Sequence, residues 1–167
     1  MDGREEIRAY VRRVASAVGR HEALLNRLDA ALGDGDHGEN MVTGWRAVLT
    51  AVEDEPSDDL GDILRRIGTT LVASVGGASG PLYGTAFIEA GFALKGRLSI
   101  DLAALATAFE VGARGLARRG RCAVGDKTIL DALAPAAAAL RTAADAGEPI
   151  GVALEKATRA AVAGMRS

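Results

Sequence analysis

Apolar residues recur along this chain at the three- and four-residue spacing of amphipathic helices, and polar connections containing glycine or proline interrupt them. The spacing predicts seven or eight helices, with approximate ranges 4–18, 21–32, 40–52, 59–74, 81–95, 101–119, 128–146 and 150–167. No segment alternates apolar and polar residues with the period of a strand, so the predicted fold class is all-α. We expect Gly19 to separate the first two helices, and four leucines to form the apolar face of the second: Leu24, Leu25, Leu28 and Leu32.

The connections between these helices are short, so consecutive helices are expected to pack antiparallel as an up-and-down bundle. Three glycine-rich breaks, at 33–38, 76–80 and 120–126, are each separated from the next by two helices. Loops two helices apart lie at the same end of such a bundle. We therefore predict a single domain over residues 1–167, with one site at one end that is built from three loops.

Composition and charge narrow the class of protein. The chain has 167 residues, 49% of them hydrophobic but only 4% aromatic, which suits closely packed helices with small side chains. A formal net charge of −2 gives no reason to expect a nucleic-acid or anionic membrane surface as a partner. The charged N-terminus lacks the apolar segment of a signal peptide, and no apolar run is long enough to cross a bilayer. Because Cys122 has no second cysteine to pair with, we expect a cytoplasmic protein.

Carboxylates crowd together where the second predicted helix ends. Asp29, Asp34 and Asp36 fall within eight positions, and like charges this close disfavour one another unless a cation lies between them. Oxygen ligands without a thiolate suit a hard divalent cation, with Mg²⁺ first and Ca²⁺ or Mn²⁺ as alternatives. Three glycines, expected to adopt positive φ, are interleaved with them: Gly33, Gly35 and Gly38. The alternative is that Asp34 and Asp36 cap the next helix, with Asp29 exposed.

A second loop suits a phosphate group. Mg²⁺ held by few carboxylates usually binds substrate phosphates as well. Residues 76–80 open a helix at Pro81, and free amides, the Ser79 hydroxyl and the helix dipole all favour an anion there. A plain glycine-rich turn between helices is the alternative. In the third loop, Lys127 and Thr128 add a cation and a hydroxyl.

Parts of the sequence suggest three familiar binding motifs, but each is excluded by its context or its spacing. Residues 33–38 satisfy G-x-G-x-x-G, but they follow a leucine-periodic helix instead of a strand. Residues 120–128 nearly satisfy G-x-x-x-x-G-K-[ST], but Asp126 intrudes before the lysine and spoils the register of a P-loop. An EF-hand that begins at Asp34 would need a bidentate glutamate where Trp45 stands.

Taken together, the three loops resemble the DhaL family, the nucleotide-binding subunits of dihydroxyacetone kinases. The resemblance rests on three segments in order: LDAALGDGDHGENM at 28–41, SVGGASGPLYGT at 74–85 and GDKTILDAL at 125–133. It implies an up-and-down barrel of α-helices with an adenine nucleotide, ADP or ATP, and two Mg²⁺ ions at one end.

The resemblance also implies two groups of site residues. The metal ligands would be Asp29, Asp34 and Asp36. The nucleotide would contact His37, Gly38, Glu39, Asn40, Gly77, Ala78, Ser79, Gly120 and Ile129. No residue would act as a catalytic acid or base, because the aspartates hold metal.

By the same resemblance, the chain would be a kinase subunit that phosphorylates dihydroxyacetone, or another short-chain ketose, held on a separate DhaK-type subunit. The phosphoryl donor would be free ATP or a phosphotransferase-system subunit that recharges bound ADP. A homodimer is also possible. The C-terminal lid and last helix of the family have no counterpart in residues 1–167, so we expect either that this segment is disordered or removed, or that the protein is a shortened member of the family. The alternatives are a non-catalytic regulatory module that binds nucleotide or metal, and a helical interaction domain whose aspartates are caps.

Overall fold

The computed structural model describes residues 3–167, which form seven α-helices and no strand. The helices are α1 (Gly3–Asp29), α2 (His37–Glu53), α3 (Leu60–Ser74), α4 (Ser79–Ala93), α5 (Leu102–Gly120), α6 (Leu130–Asp145) and α7 (Ile150–Arg166). This confirms the predicted all-α class and the lower of the two predicted helix counts. Within the described part of the chain, none of the helices is both long and apolar enough to span a membrane.

The break predicted at Gly19 was wrong, because α1 runs through it without interruption. A glycine inside a helix costs only about 0.5–1 kcal/mol relative to alanine. Packing of α1 outweighs this cost, since Val11 is fully buried and Val14 lies against the same core. The helix also ends three residues earlier than predicted. Leu28, inside the helix, is 61% exposed, and Leu32, beyond its end, is 99% exposed, so these two leucines do not form the expected apolar face.

Each helix packs against the next one along the chain, which is the arrangement of an up-and-down bundle. The largest core cluster joins α1, α2 and α3, and the ring of its buried Trp45 meets Phe87 of α4 edge-on at 6.0 Å. An alanine-rich cluster around Leu140 joins α5, α6 and α7. Across the described residues, α1 and α7 do not pack extensively on each other, so the bundle is open between its first and last helices.

The connecting loops are sorted between the two ends of the bundle. At one end the Leu60 amide donates to the Arg97 carbonyl at 2.8 Å, which ties the α2–α3 loop to the α4–α5 loop. At the other end the Ser79 hydroxyl lies 3.4 Å from Nδ1 of His37, which joins the α1–α2 and α3–α4 loops. The loop after α5 reaches this second end too, because Cys122 and Leu82 pack in one cluster. The three glycine-rich breaks therefore meet at one end, as predicted.

Helices α3 and α4 approach each other closely at two places seven residues apart. A Cβ atom on Gly61 would lie 2.5 Å from the Gly91 carbonyl oxygen, and one on Gly68 would lie 2.6 Å from that of Gly84. The reverse contacts are as tight, at 2.7 Å from Gly91 to Gly61 and 2.6 Å from Gly84 to Gly68. Only glycine fits at these four positions, and the backbone contact fixes where α4 begins relative to α3.

We expect Gly68→Ala to lower the free energy of unfolding by about 1–3 kcal/mol, because the added methyl group must push the backbone of α4 away. The matched control is Gly19→Ala, where the added methyl group meets nothing within 4 Å and stability should rise by up to about 1 kcal/mol. Urea denaturation of both variants measures the difference. Equal effects at the two sites would contradict the close approach of α3 and α4.

Candidate functional site

Three aspartates converge where α1 ends and α2 begins. Asp29 is the last residue of α1, Asp34 lies in the following loop, and Asp36 directly precedes α2. One carboxylate oxygen from each lies within 4.8 Å of the other two. Within residues 3–167, no salt bridge involves any of the three. The cluster thus offers oxygen ligands for a metal, and no side-chain cation forms a salt bridge with it. These residues fit a hard divalent cation such as Mg²⁺.

The loop backbone brings the aspartates together. The Gly35 amide donates to Oδ2 of Asp29 at 2.9 Å, and Gly35 has a φ of +81°, which favours glycine. Positive φ was also predicted for Gly33 and Gly38, and this was wrong. They are glycines for lack of space instead: a Cβ atom on Gly33 would lie 2.8 Å from Oδ1 of Asp29, and one on Gly38 would overlap the Glu22 carbonyl oxygen.

The alternative role of the aspartates as helix caps is not what the structure shows. Asp36 occupies the N-cap position of α2, but its side chain makes no capping hydrogen bond. The acceptor is Oδ1 of Asn26, 2.6 Å from the Gly38 amide and 3.2 Å from the Glu39 amide. Sequence reasoning missed Asn26, because the amides that its side chain accepts from lie twelve and thirteen positions later in the chain.

A cavity of about 290 Å³ separates the aspartates from the second glycine-rich loop. Its lining consists of Asp29, Asp34, Asp36, His37, Asn40, Gly76, Gly77, Ala78 and Ser79. The structure therefore brings together all three predicted metal ligands and five of the predicted nucleotide contacts. Gly38 and Glu39 lie beside the cavity in the first turn of α2, where their amides bond to Asn26.

The wall opposite the aspartates is the start of α4. Gly77 has a φ of +64°, and no side chain caps the helix at Ala78. Gly76 is held against Asn40, whose Oδ1 would be 2.9 Å from a Cβ atom at position 76. Uncapped amides at a helix N-terminus attract anions, so this wall suits a phosphate chain.

The third loop lies at the same end but does not line this cavity. Ile129 packs beside Leu116 and Leu130, and a Cβ atom on Gly120 would lie 3.1 Å from a methyl group of Leu82. Contact of Gly120 and Ile129 with a nucleotide therefore stays a prediction.

Asp131, which sequence reasoning missed, holds the third loop in shape. The side chain is 5% exposed, and its two carboxylate oxygens accept from the Gly125 amide at 2.6 Å and the Thr128 amide at 2.7 Å. These hydrogen bonds, together with the charge of Lys127, lower the pKa of Asp131. Its position in the first turn of α6, three residues after Thr128, was the signal in the sequence that could have identified it.

Residues 31–167 match the family described as the DAK2 domain, and the chain belongs to this family. Together with the relatives described next, this match shows that the class is that of the dihydroxyacetone kinases, which are phosphotransferases. The chain is 38% identical over 164 residues to the ADP-binding subunit DhaL of the PEP-dependent dihydroxyacetone kinase of Escherichia coli (strain K12), covering 98% of this chain and 78% of that one. It is 39% identical over 139 residues to the corresponding DhaL of kinase 1 of Listeria innocua serovar 6a, covering 83% and 70%.

Solved structures agree with the sequence comparison. The dihydroxyacetone kinase of C. freundii in complex with AMP-PNP and Mg²⁺ superimposes with a TM-score of 0.77 at 30% identity. Its native form gives a TM-score of 0.79 at 28% identity. Both matches cover 96% of this chain and 28% of the longer C. freundii chain. The predicted family and helical-bundle fold are confirmed.

We expect Asp131→Asn to destabilise the protein at pH 7, and the effect should shrink progressively as the pH falls below about 4. The native pKa of Asp131 lies below its unfolded value, so its contribution to stability is present above about pH 4 and is lost as the pH falls through the native pKa. Urea denaturation at several pH values measures this difference, with the exposed Asp54→Asn as control. A difference from wild type that does not change with pH would contradict the role of the Asp131 charge.

Proposed function

We propose that this chain is the nucleotide-carrying subunit of a dihydroxyacetone kinase. It holds ADP or ATP with Mg²⁺ and donates a phosphoryl group to a short-chain ketose bound on a separate DhaK-type subunit. The observation that carries the proposal is the cluster of three carboxylates, within 4.8 Å of one another, that faces the start of α4 across one cavity. Support also comes from relatives that are ADP-binding subunits and from a C. freundii kinase crystallised with AMP-PNP and Mg²⁺.

In this proposal Asp29, Asp34 and Asp36 hold two Mg²⁺ ions. Three carboxylates together with the phosphates of a nucleotide carry more negative charge than one divalent ion balances. When bound, Mg²⁺ neutralises the charge on the phosphate oxygens that otherwise opposes phosphoryl transfer. The aspartates accept no proton from the substrate, so this chain contributes positioning and electrostatics and no general base.

The opposite wall orients the phosphate chain. The amides of residues 77–79 and the Ser79 hydroxyl donate to phosphate oxygens, and His37, 3.4 Å from that hydroxyl, adds a ring nitrogen on the same side. The side chain of Asn40 packs against Gly76 and so supports the loop before α4. Gly38 and Glu39 complete the wall at the start of α2, and we assign the adenine to the third loop, beside Gly120 and Ile129.

The metal assignment predicts that Asp34→Ala loses Mg²⁺-dependent nucleotide binding while the fold stays intact. Removing a residue that only supports a metal ligand typically lowers affinity about 10–100-fold. Removing a direct ligand should lower it by at least this factor. Isothermal titration with ADP, with and without Mg²⁺, measures this, and circular dichroism checks the helices. Asp54→Ala, at the opposite end of α2, is the matched control. Wild-type affinity in Asp34→Ala would refute the assignment.

The kinase assignment predicts phosphoryl transfer to dihydroxyacetone only when a DhaK-type subunit is present. Turnover with ATP alone identifies ATP as the donor, whereas turnover that requires a phosphorylated phosphotransferase-system protein identifies recharging of bound ADP. Nucleotide binding without transfer under either condition would overturn the proposal in favour of a regulatory module. The absence of nucleotide binding would favour a helical interaction domain.

We place this activity in the cytoplasm, where the lone Cys122 stays a thiol. Light scattering of the chain with and without the DhaK-type subunit measures the assembly formed and detects a homodimer if there is one.

A further inference from the structure

Aspartate is among the residues preferred at a helix N-cap, where its carboxylate normally accepts from the amide two or three positions later. Asp36 stands at this position before α2 but behaves differently. Its backbone, at φ −107° and ψ 0°, lies outside the extended conformation usual for a cap, and its side chain makes no capping bond. Its carboxylate is instead within 4.8 Å of those of Asp29 and Asp34.

A side chain from another helix supplies the missing acceptor. Oδ1 of Asn26, on α1, lies 2.6 Å from the Gly38 amide and 3.2 Å from the Glu39 amide, the same two donors that an N-cap side chain would satisfy. The approach requires glycine at position 38, because a Cβ atom there would lie 2.7 Å from Oδ1 of Asn26. The first turn of α2 is thus pressed against the last turns of α1.

We propose that Asn26 is a positioning residue for the cation site: by capping α2 in place of Asp36, it releases the Asp36 carboxylate for the cation. Asn26 and Asp29 are three residues apart and therefore lie on one face of α1. A single turn of α1 supplies both the substitute cap and one carboxylate, so the same contact sets the spacing between Asp29 and Asp36. This inference rests on the proposed binding of a divalent cation by the aspartates.

The consequence of removing Asn26 follows from the unpaired amides that remain. Two donors at the start of α2 would lose their acceptor, and Asp36, which occupies the N-cap position itself, is of the residue type that caps helices. We expect the carboxylate of Asp36 to turn toward these amides and to leave the cation. The loss would then depend on Asp36, which distinguishes positioning from a general loss of stability.

The test uses Mn²⁺ as a spin probe, titrated into the full chain in the presence of ADP and followed by electron paramagnetic resonance. Asn26→Ala should weaken Mn²⁺ binding about 10–100-fold, as is typical for outer partners of a metal site. In an Asp36→Asn background the same change should weaken it much less, because the residue through which Asn26 acts has already lost its charge. An equal loss in both backgrounds would overturn the inference. Asn26→Gln, which misplaces the same amide by one methylene, serves if the alanine variant does not fold.

A matched control removes a cap at the other end of the bundle. Oδ1 of Asp101 accepts from the Ala104 amide at 2.7 Å, so Asp101→Ala should lower stability without changing the affinity for Mn²⁺. If the wild-type chain with ADP binds no Mn²⁺, the proposed function fails and this inference fails with it. If wild type binds Mn²⁺ and Asn26→Ala binds it equally well, the inference alone is overturned.

Discussion

Repulsion among the three carboxylates of Asp29, Asp34 and Asp36, none of which forms a salt bridge within residues 3–167, is the constraint around which one end of this bundle is arranged. Two unit charges 4 Å apart in water repel by about 1 kcal/mol. Asp34 and Asp36 are exposed, and Asp29 is half-buried, so water reduces the repulsion without removing it. The cluster is held together by the Gly35 amide and the Asn26 side chain, and a divalent cation would convert the repulsion into binding energy.

The packing of the helices gives these groups a rigid base. The core shared by α1, α2 and α3 fixes the aspartate side of the cavity, and the glycine contacts between α3 and α4 fix the side formed by the start of α4. Neither wall depends on a long loop. The third loop differs, since it relies on hydrogen bonds to Asp131 and contains two non-glycine residues with positive φ, Arg121 and Lys127. The proposed cation and phosphate positions therefore rest on helix packing, whereas the proposed adenine position rests on a loop held by hydrogen bonds.

Periodicity and loop counting predicted the class, the number of helices within one, and the end at which the glycine-rich loops meet. They failed where packing overrides local preference: Gly19 continues a helix because the core on either side holds it. They also failed where space, and not backbone conformation, selects the residue, as at Gly38. Asn26 was missed because its partner lies twelve positions away, and a contact between two helices leaves no local pattern in either one. The family motif supplied Gly120 and Ile129, which the observed cavity does not include.

The paired glycines of α3 and α4 also limit how this domain can change in length. Gly84 is five residues after Ser79, a rise of about 7.5 Å along the helix, and both belong to α4. Removing one residue between them would rotate the start of α4 by about 100° relative to the glycine contact. The cavity wall that the start of α4 forms would then turn away from the aspartates. Insertions and deletions in related chains should therefore collect in the loops at the opposite end, such as 54–59 and 94–101, where no such register has to be kept.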